Sequence, residues 1–212
     1  MLSDLANAHG LRLMGGFAVT GDDADLAGHA TVLLLGPDDG RFWPLFTASP
    51  EYRDGAPDPI DRWSWRVLGE LADKTGGTAY FPFGGPPHYP FYSWARRTGR
   101  VHVSPIHFLV DAGVGLWTSF RGAIAYDEPQ PLPPQVSSPC AACSARPCLS
   151  ACPVSALTEA GYDVEACKTH IAAQDSASCR ALGCAARRAC PVSAKARRNP
   201  AQSALHMKTF LE

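Results

Sequence analysis

The first 135 residues of this 212-residue chain contain no cysteine; all eight lie between positions 140 and 190. Whatever chemistry the thiols perform is therefore confined to the C-terminal third. No apolar run approaches the length of a membrane span: "ATVLLLG" (30–36) is the size of a strand. The N-terminus lacks a basic segment followed by an apolar core, so no secretory signal is expected and the chain is placed in the cytoplasm. Thiols stay reduced there, which sets a disulfide scaffold below metal or cluster ligation. No nucleotide fingerprint is present, because "GGFAVTG" (15–21) lacks the G-x-G-x-x-G order. Apolar residues are not scarce: at 46% the chain can bury a core, which excludes general disorder.

Charge is nearly balanced overall, at −1, but unevenly spread. Residues 136–212 carry 9 Lys+Arg against 5 Asp+Glu; residues 1–135 carry 10 against 15. The basic part reads as a solvated face that offsets thiolate charge. Its densest run, "ARRACPVSAKARRNP" (186–200), has no interleaved aromatic rings to stack on bases, so no nucleic-acid partner is expected.

The proline-rich segment "DEPQPLPPQVSSP" (127–139) reads as a stiff linker. It divides the chain into an N-terminal domain, 1–135, and a cysteine domain, 136–212. The N-terminal part is expected to be α+β, helices layered on a sheet. "LSDLANAHG" reads as a helix, "LRLMGGFAV" and "HATVLLLG" as strands, and "DPIDRWSWRVLGELADKTGG" (58–77) as the main helix. That helix has Asp58 as cap, Pro59 in its first turn and an apolar stripe of Ile60, Trp63, Val67, Leu68 and Leu71. "TAYFPF", "IHFLVD" and "GAIAY" read as further strands and "YPFYSWARRTG" as a short helix.

The cysteines open with Cys140, Cys143, Cys148 and Cys152 in the order C-x2-C-x4-C-x3-C-P. The bacterial ferredoxin run is C-x2-C-x2-C-x3-C-P, and its fourth cysteine ligates the other cluster. Three thiolates from one short loop wrap one cubane; the next points away, and proline ends the loop by fixing φ and removing a donor. The second group is looser: Cys167, Cys179 and Cys184, then Cys190-Pro191. Cys-Pro-Val-Ser-Ala is thus written twice, at 152–156 and 190–194. The crossed ferredoxin arrangement assigns Cys140, Cys143, Cys148 and Cys190 to one 4Fe–4S cluster and Cys152, Cys167, Cys179 and Cys184 to a second. Two four-cysteine zinc sites, or one cluster with spare cysteines, are the other readings of the same residues. A cluster pair passes single electrons and performs no substrate chemistry by itself.

The order of these cysteines after an α+β domain resembles epoxyqueuosine reductase, a cobalamin-dependent family related to the reductive dehalogenases. The match extends upstream: "WARRTGRVHVSPIHFLVDAGVGLW" (94–117) is similar to that family's W-A-x-R-A-G-x-x-W-I-G-K-N-x-L-L-I-H-P-x-Y-G-x-W at Trp94, Ala95, Arg97, Gly99, Leu109, Gly115 and Trp117. The family's G-K-N reads Ser104-Pro105-Ile106 here, and Gly85 stands where its catalytic aspartate would be. Nor does a C-terminal helical-repeat segment for tRNA follow the cysteines. The resemblance implies a nitroreductase-like first domain, a ferredoxin-like dicluster second domain, and a corrinoid held beside one cluster. It implies an iron–sulfur oxidoreductase of the cobalamin-reducing or cobalamin-processing type, without epoxyqueuosine reduction.

"FPFGGPPHYPFYSWARR" (81–97) suits either a rigid cover over the sheet or a wall for a flat cofactor. Taken with the resemblance, the candidate cofactor-binding residues are His88, Tyr89, Phe91, Tyr92, Arg97, Ser104 and His107. His102 and His107 stand at H-x4-H, but on a strand an odd separation turns them to opposite faces, so no zinc site is read there. The functional expectation is electron transfer to a corrinoid or another redox cofactor. A free-standing ferredoxin-type carrier serving a redox partner protein, and a zinc-stabilised binding module, are the alternatives.

Overall fold

A computed structural model describes residues 1–173 and 177–212. The chain is mixed α and β and divides into two compact units: residues 1–101 with 119–136, and residues 102–118 with 137–212. The break at 136/137 falls in the proline-rich segment. The single boundary read from the sequence misses the excursion of residues 102–118 into the second unit. That stretch carries no change of composition to mark the crossing.

The first unit is built on a four-stranded antiparallel sheet. Its strands are β1 (Leu11–Ala18), β2 (Thr31–Pro37), β3 (Thr78–Tyr80) and β6 (Gly122–Tyr126), ordered β1-β2-β6-β3. β2 is buried along its whole length, which explains the unbroken apolar run Val32–Leu35. β1 carries a bulge at Met14, where the register against β2 shifts between Leu13 and Gly15.

Helix α1 (Leu2–Ala8) packs on β1. The main helix, α4 (Pro59–Thr75), lies against β3 and β6 and buries Ile60, Trp63, Val67, Leu68 and Leu71, the stripe read from the sequence. Each such side chain contributes about 1.5–3 kcal/mol by leaving water. Gly76 ends α4 with φ 70°, a conformation that only glycine adopts without strain. Asp58 stands at the head of α4 with φ 51° and makes no side-chain cap bond, so the expected cap is absent. Two short helices, α2 (Phe42–Thr47) and α3 (Pro50–Arg53), have no counterpart in the sequence reading. They form around an aromatic cluster in which Phe42 stacks on Phe46 at 5.5 Å and meets Trp63 edge-on at 5.2 Å.

The proline-rich segment is not a free linker. The Gln130 amide donates to Thr31 Oγ1 (3.1 Å), Arg100 donates to the Pro134 carbonyl (2.7 Å), and the Val136 amide donates to Gly99 O (2.9 Å). The segment is strapped to the first unit up to the boundary.

In the second unit, β4 (Val101–Val103) and β5 (Leu109–Asp111) form a two-stranded ribbon, β4 starting at the boundary residue. "IHFLVD" is strand only over its second half, because His107 turns the chain with φ 63°. After the cysteine loop come a small hairpin, β7 (Leu157–Thr158) and β8 (Gly161–Tyr162), and helices α6 (Val164–Ala172), α7 (Ala177–Leu182), α8 (Ala185–Ala189) and α9 (Pro200–Leu211). Asp163 caps α6 by accepting from the Ala166 amide at 2.9 Å. The core of this unit is small, and the cysteines belong to it: Cys148 and Cys190 are buried with Ile106, Val110, Leu116, Leu157 and Ala186. Among the described residues no helix is long and apolar enough to cross a membrane.

Candidate metal centre

The second unit holds a cavity of about 190 Å³ whose lining includes Cys140, Cys143, Cys148 and Cys190. Two 3-10 turns, Pro139–Ala142 and Pro147–Leu149, present Cys140 and Cys148. Prolines at the head of both turns fix φ where the chain must reverse tightly. Arg146 at φ 38° supplies the reversal between them. Cys190 arrives from the end of α8, a distant point in the chain. The remaining wall is largely apolar, including Pro105, Val110, Leu116, Pro191 and Val192, with the hydroxyl of Ser104 among it.

Electrostatics ties these thiols together. Burial pushes the Cys140 thiol above its usual value, and neighbouring Cys190 and Cys143 add to the shift. Burial likewise raises Cys148, with Cys140, Cys190 and Cys143 contributing. A buried cluster of protonated thiols gains little alone. A metal that displaces the protons converts the same cluster into binding energy.

The other four cysteines form a second group. Cys167 is raised by burial, with Cys184, Cys152 and Cys179 adding to the rise, while the neighbouring Tyr162 hydroxyl acts in the opposite direction. Cys184 heads α8 and is raised by burial; the backbone at Arg187 and Ala186 and the Arg187 charge act in the opposite direction, and Cys152 adds to the rise. Cys152 Sγ accepts from the Ala156 amide at 3.3 Å. Arg187 donates to the Leu116 carbonyl at 2.9 Å and covers the Phe108 ring at 4.7 Å. Burial lowers the pKa of Arg187, while Cys184 and Tyr162 hold it up. All eight cysteines are free thiols. Among the described residues, no three His, Cys, Asp or Glu side chains converge on a point that would seat a single metal ion.

The seven candidate cofactor residues fall in both units. In the first unit, Phe91 is buried and packs on Trp94 at 4.9 Å. Tyr89 stacks on Trp94 (5.8 Å) and meets Tyr80 edge-on (4.9 Å). Arg97, in α5 (Phe91–Arg97), pairs with Asp23, donates to the Ala18 carbonyl and lies over the Phe17 ring at 4.1 Å. That pairing holds the Asp23 carboxyl down at about 2. His88 and Tyr92 are exposed. In the second unit, His107 Nε2 contacts the Glu159 carbonyl at 2.8 Å, in a turn rather than on the strand expected for it. Ser104 is buried, lines the cysteine cavity and has no hydrogen-bond partner for Oγ among the described residues.

Tyr162 and Arg187 were not among the sequence candidates. Tyr162 stands five residues before Cys167, a proximity that was available as a signal. Arg187 sits in a basic run read as a solvated face, in which Arg187, Arg188 and Arg198 are in fact all partly buried. Compared with protein families, curated proteins and solved structures, the chain matches none.

Proposed function

We propose that the chain is an iron–sulfur electron-transfer protein whose second unit carries two 4Fe–4S clusters. Cys140, Cys143, Cys148 and Cys190 would hold one, and Cys152, Cys167, Cys179 and Cys184 the other, making that unit ferredoxin-like. The observation that carries this reading is the four-cysteine cavity, which recruits Cys190 from far along the chain as the crossed pattern requires. Its size also bears on the ligand. At about 190 Å³ it lies below the roughly 300–1,000 Å³ of organic-ligand pockets, and a corrinoid would not enter it. Thiols spread around a space of this size suit a polynuclear inorganic group better than one zinc ion, which draws four sulfurs to about 2.3 Å.

The electron acceptor is proposed to be a redox cofactor such as a corrinoid on a nitroreductase-like first unit, or a partner protein. The engagements of Phe91, Tyr89 and Arg97 within the first unit favour the partner protein, because a macrocycle there would have to displace existing core and ion-pair contacts.

Anaerobic purification followed by metal analysis tests the proposal. About eight iron and eight sulfide per chain, with broad visible absorbance bleached by dithionite, are expected. A colourless protein containing zinc overturns it. A cobalamin titration then separates the acceptors: an unchanged corrinoid spectrum assigns the carrier role.

A further inference from the structure

Tyr80, His29 and Asp127 form a hydrogen-bonded line in the first unit that the proposed electron transfer at the cysteines does not use. Tyr80 ends β3, His29 stands two residues before β2, and Asp127 follows β6. The Ala30 amide donates to the Tyr126 carbonyl at 2.7 Å, which sets His29 beside Asp127. His29 Nδ1 lies 2.7 Å from Asp127 Oδ1, and Nε2 lies 3.0 Å from the Tyr80 hydroxyl. An ionised carboxylate only accepts, so Nδ1 carries the hydrogen of the neutral imidazole and Nε2 is left as an acceptor. The Tyr80 O–H therefore donates to His29. The His29 side chain is 13% exposed and that of Asp127 79%, so the line runs from a half-buried phenol out to water.

The rings around Tyr80 are electron-rich. Tyr89 meets it edge-on at 4.9 Å, the buried Trp94 does so at 5.9 Å, and Tyr89 and Trp94 stack at 5.8 Å. Phenols and indoles give up single electrons more readily than other rings, and rings in contact pass the resulting electron vacancy between them. A phenol that has lost an electron is a very strong acid. A base already bonded to its hydroxyl lets the proton leave with the electron, so no charged ring has to form. Burial holds the Tyr80 phenol above its usual pKa, which keeps the proton in place until then. Of the three rings, Tyr80 alone has a base hydrogen-bonded to it among the described residues.

We propose that Tyr80 is a redox-active tyrosine, with His29 as its proton acceptor and Tyr89 and Trp94 as the rings that feed it. A diffusible one-electron oxidant, such as a peroxide-derived radical, takes one electron from the Tyr80 ring. The O–H bond breaks as the proton bonds to His29 Nε2, leaving a neutral tyrosyl radical beside an imidazolium. Asp127 is a positioning residue: it fixes the imidazole tautomer through Nδ1–H and offsets the imidazolium charge. One electron from a reductant such as ascorbate, with the proton returning from Nε2, restores the phenol. A vacancy formed on Tyr89 or Trp94 drains to Tyr80, where the proton has a base to go to.

The inference concerns the first unit alone and stands apart from the cluster assignment. The test is flash photo-oxidation of the anaerobically purified protein by ruthenium(III) tris-bipyridine, read by transient absorbance and electron paramagnetic resonance. Ring-deuterated tyrosine narrows a tyrosyl signal and so separates it from tryptophan and metal signals. The wild type is expected to give a long-lived tyrosyl radical that forms more slowly in heavy water, because a proton moves with the electron. Tyr80→Phe, which keeps the ring packing, should abolish that signal. His29→Gln should slow its formation by about a hundredfold or more, the contribution of a positioned proton acceptor. Asp127→Asn should slow it by less, since the carboxylate it replaces is largely in water. Hydrogen bonds that served only to hold the strand ends together would lower the urea midpoint of His29→Gln and leave radical formation unchanged. That result, or an undiminished tyrosyl signal in Tyr80→Phe, overturns the inference.

Discussion

The segments 152–156 and 190–194 have the same sequence, Cys-Pro-Val-Ser-Ala, and the structure treats them as different objects. In the first copy Val154 and Ser155 are exposed, Ser155 takes φ 51°, and the Ala156 amide bonds back to Cys152 Sγ. In the second copy the chain makes a helical turn, with the Ala194 amide donating to the Cys190 carbonyl at 2.9 Å. Ser193 is buried there, accepting from the Leu116 amide at 2.8 Å and donating to the Val114 carbonyl at 3.5 Å. Identical local propensities give two conformations because the second copy has residues 114–116 to bond against. The first copy leads instead into the β7–β8 hairpin. The shared part is Cys-Pro, which delivers a thiolate and stops the loop. The Val-Ser-Ala that follows takes its structure from its neighbours.

The largest test removes each thiol in turn. Cys190→Ala should lose about four iron and four sulfide from the cluster of Cys140, Cys143 and Cys148, and Cys152→Ala should lose about the same from the other. Quantitative iron analysis gives the loss, and the surviving paramagnetic signal tells which cluster remains. If both variants leave the same signal, the crossed assignment is wrong.

The next test acts on the support beneath the second copy. Gly115 has φ 61°, and a side chain there would meet the Ser193 amide at 2.5 Å. Gly115→Ala should cost more than the about 1–2 kcal/mol of left-handed strain alone, because backbone has to move as well. Ser193→Ala follows at about 1–3 kcal/mol, since the Leu116 amide loses its buried acceptor. Ser155→Ala in the other copy should stay within about 0.5 kcal/mol. Urea midpoints of the holoprotein, measured anaerobically, rank the three. Equal effects of the two serine substitutions would remove the distinction between the copies.

Much of the first unit is legible in the sequence. The stripe of Ile60, Trp63, Val67, Leu68 and Leu71 and the glycine stop at Gly76 fixed α4, and the apolar run at 32–35 marked a fully buried strand. Residues 42–53 were opaque, because Phe42, Trp43 and Phe46 are apolar without a clear period and prolines interrupt them. In the second unit the cysteine spacing already paired Cys190 with the first loop. The environment of each group was hidden, since a serine or arginine acquires its meaning from non-local partners: Ser193 from Leu116, Arg187 from Phe108 and Cys184. The excursion of residues 102–118 was hidden for the same reason. Its short strand pairs read like any others along the chain.

The smallest expected effect separates backbone from side chain in the first copy. Ser155 is exposed at φ 51°, so its side chain contributes little and its backbone is strained. Glycine at that position relieves the clash between Cβ and the following carbonyl but adds freedom to the unfolded chain, and the two terms oppose. Relief of about 1 kcal/mol against a comparable entropic cost leaves Ser155→Gly between neutral and about 1 kcal/mol stabilising. The matching change in the second copy, Ser193→Gly, finds no positive φ to relieve and loses the same buried bonds as Ser193→Ala. It should therefore destabilise by more than Ser193→Ala does. Opposite signs for glycine at these two serines would place the difference between the copies in the backbone, and a shared sign would return it to the side chains.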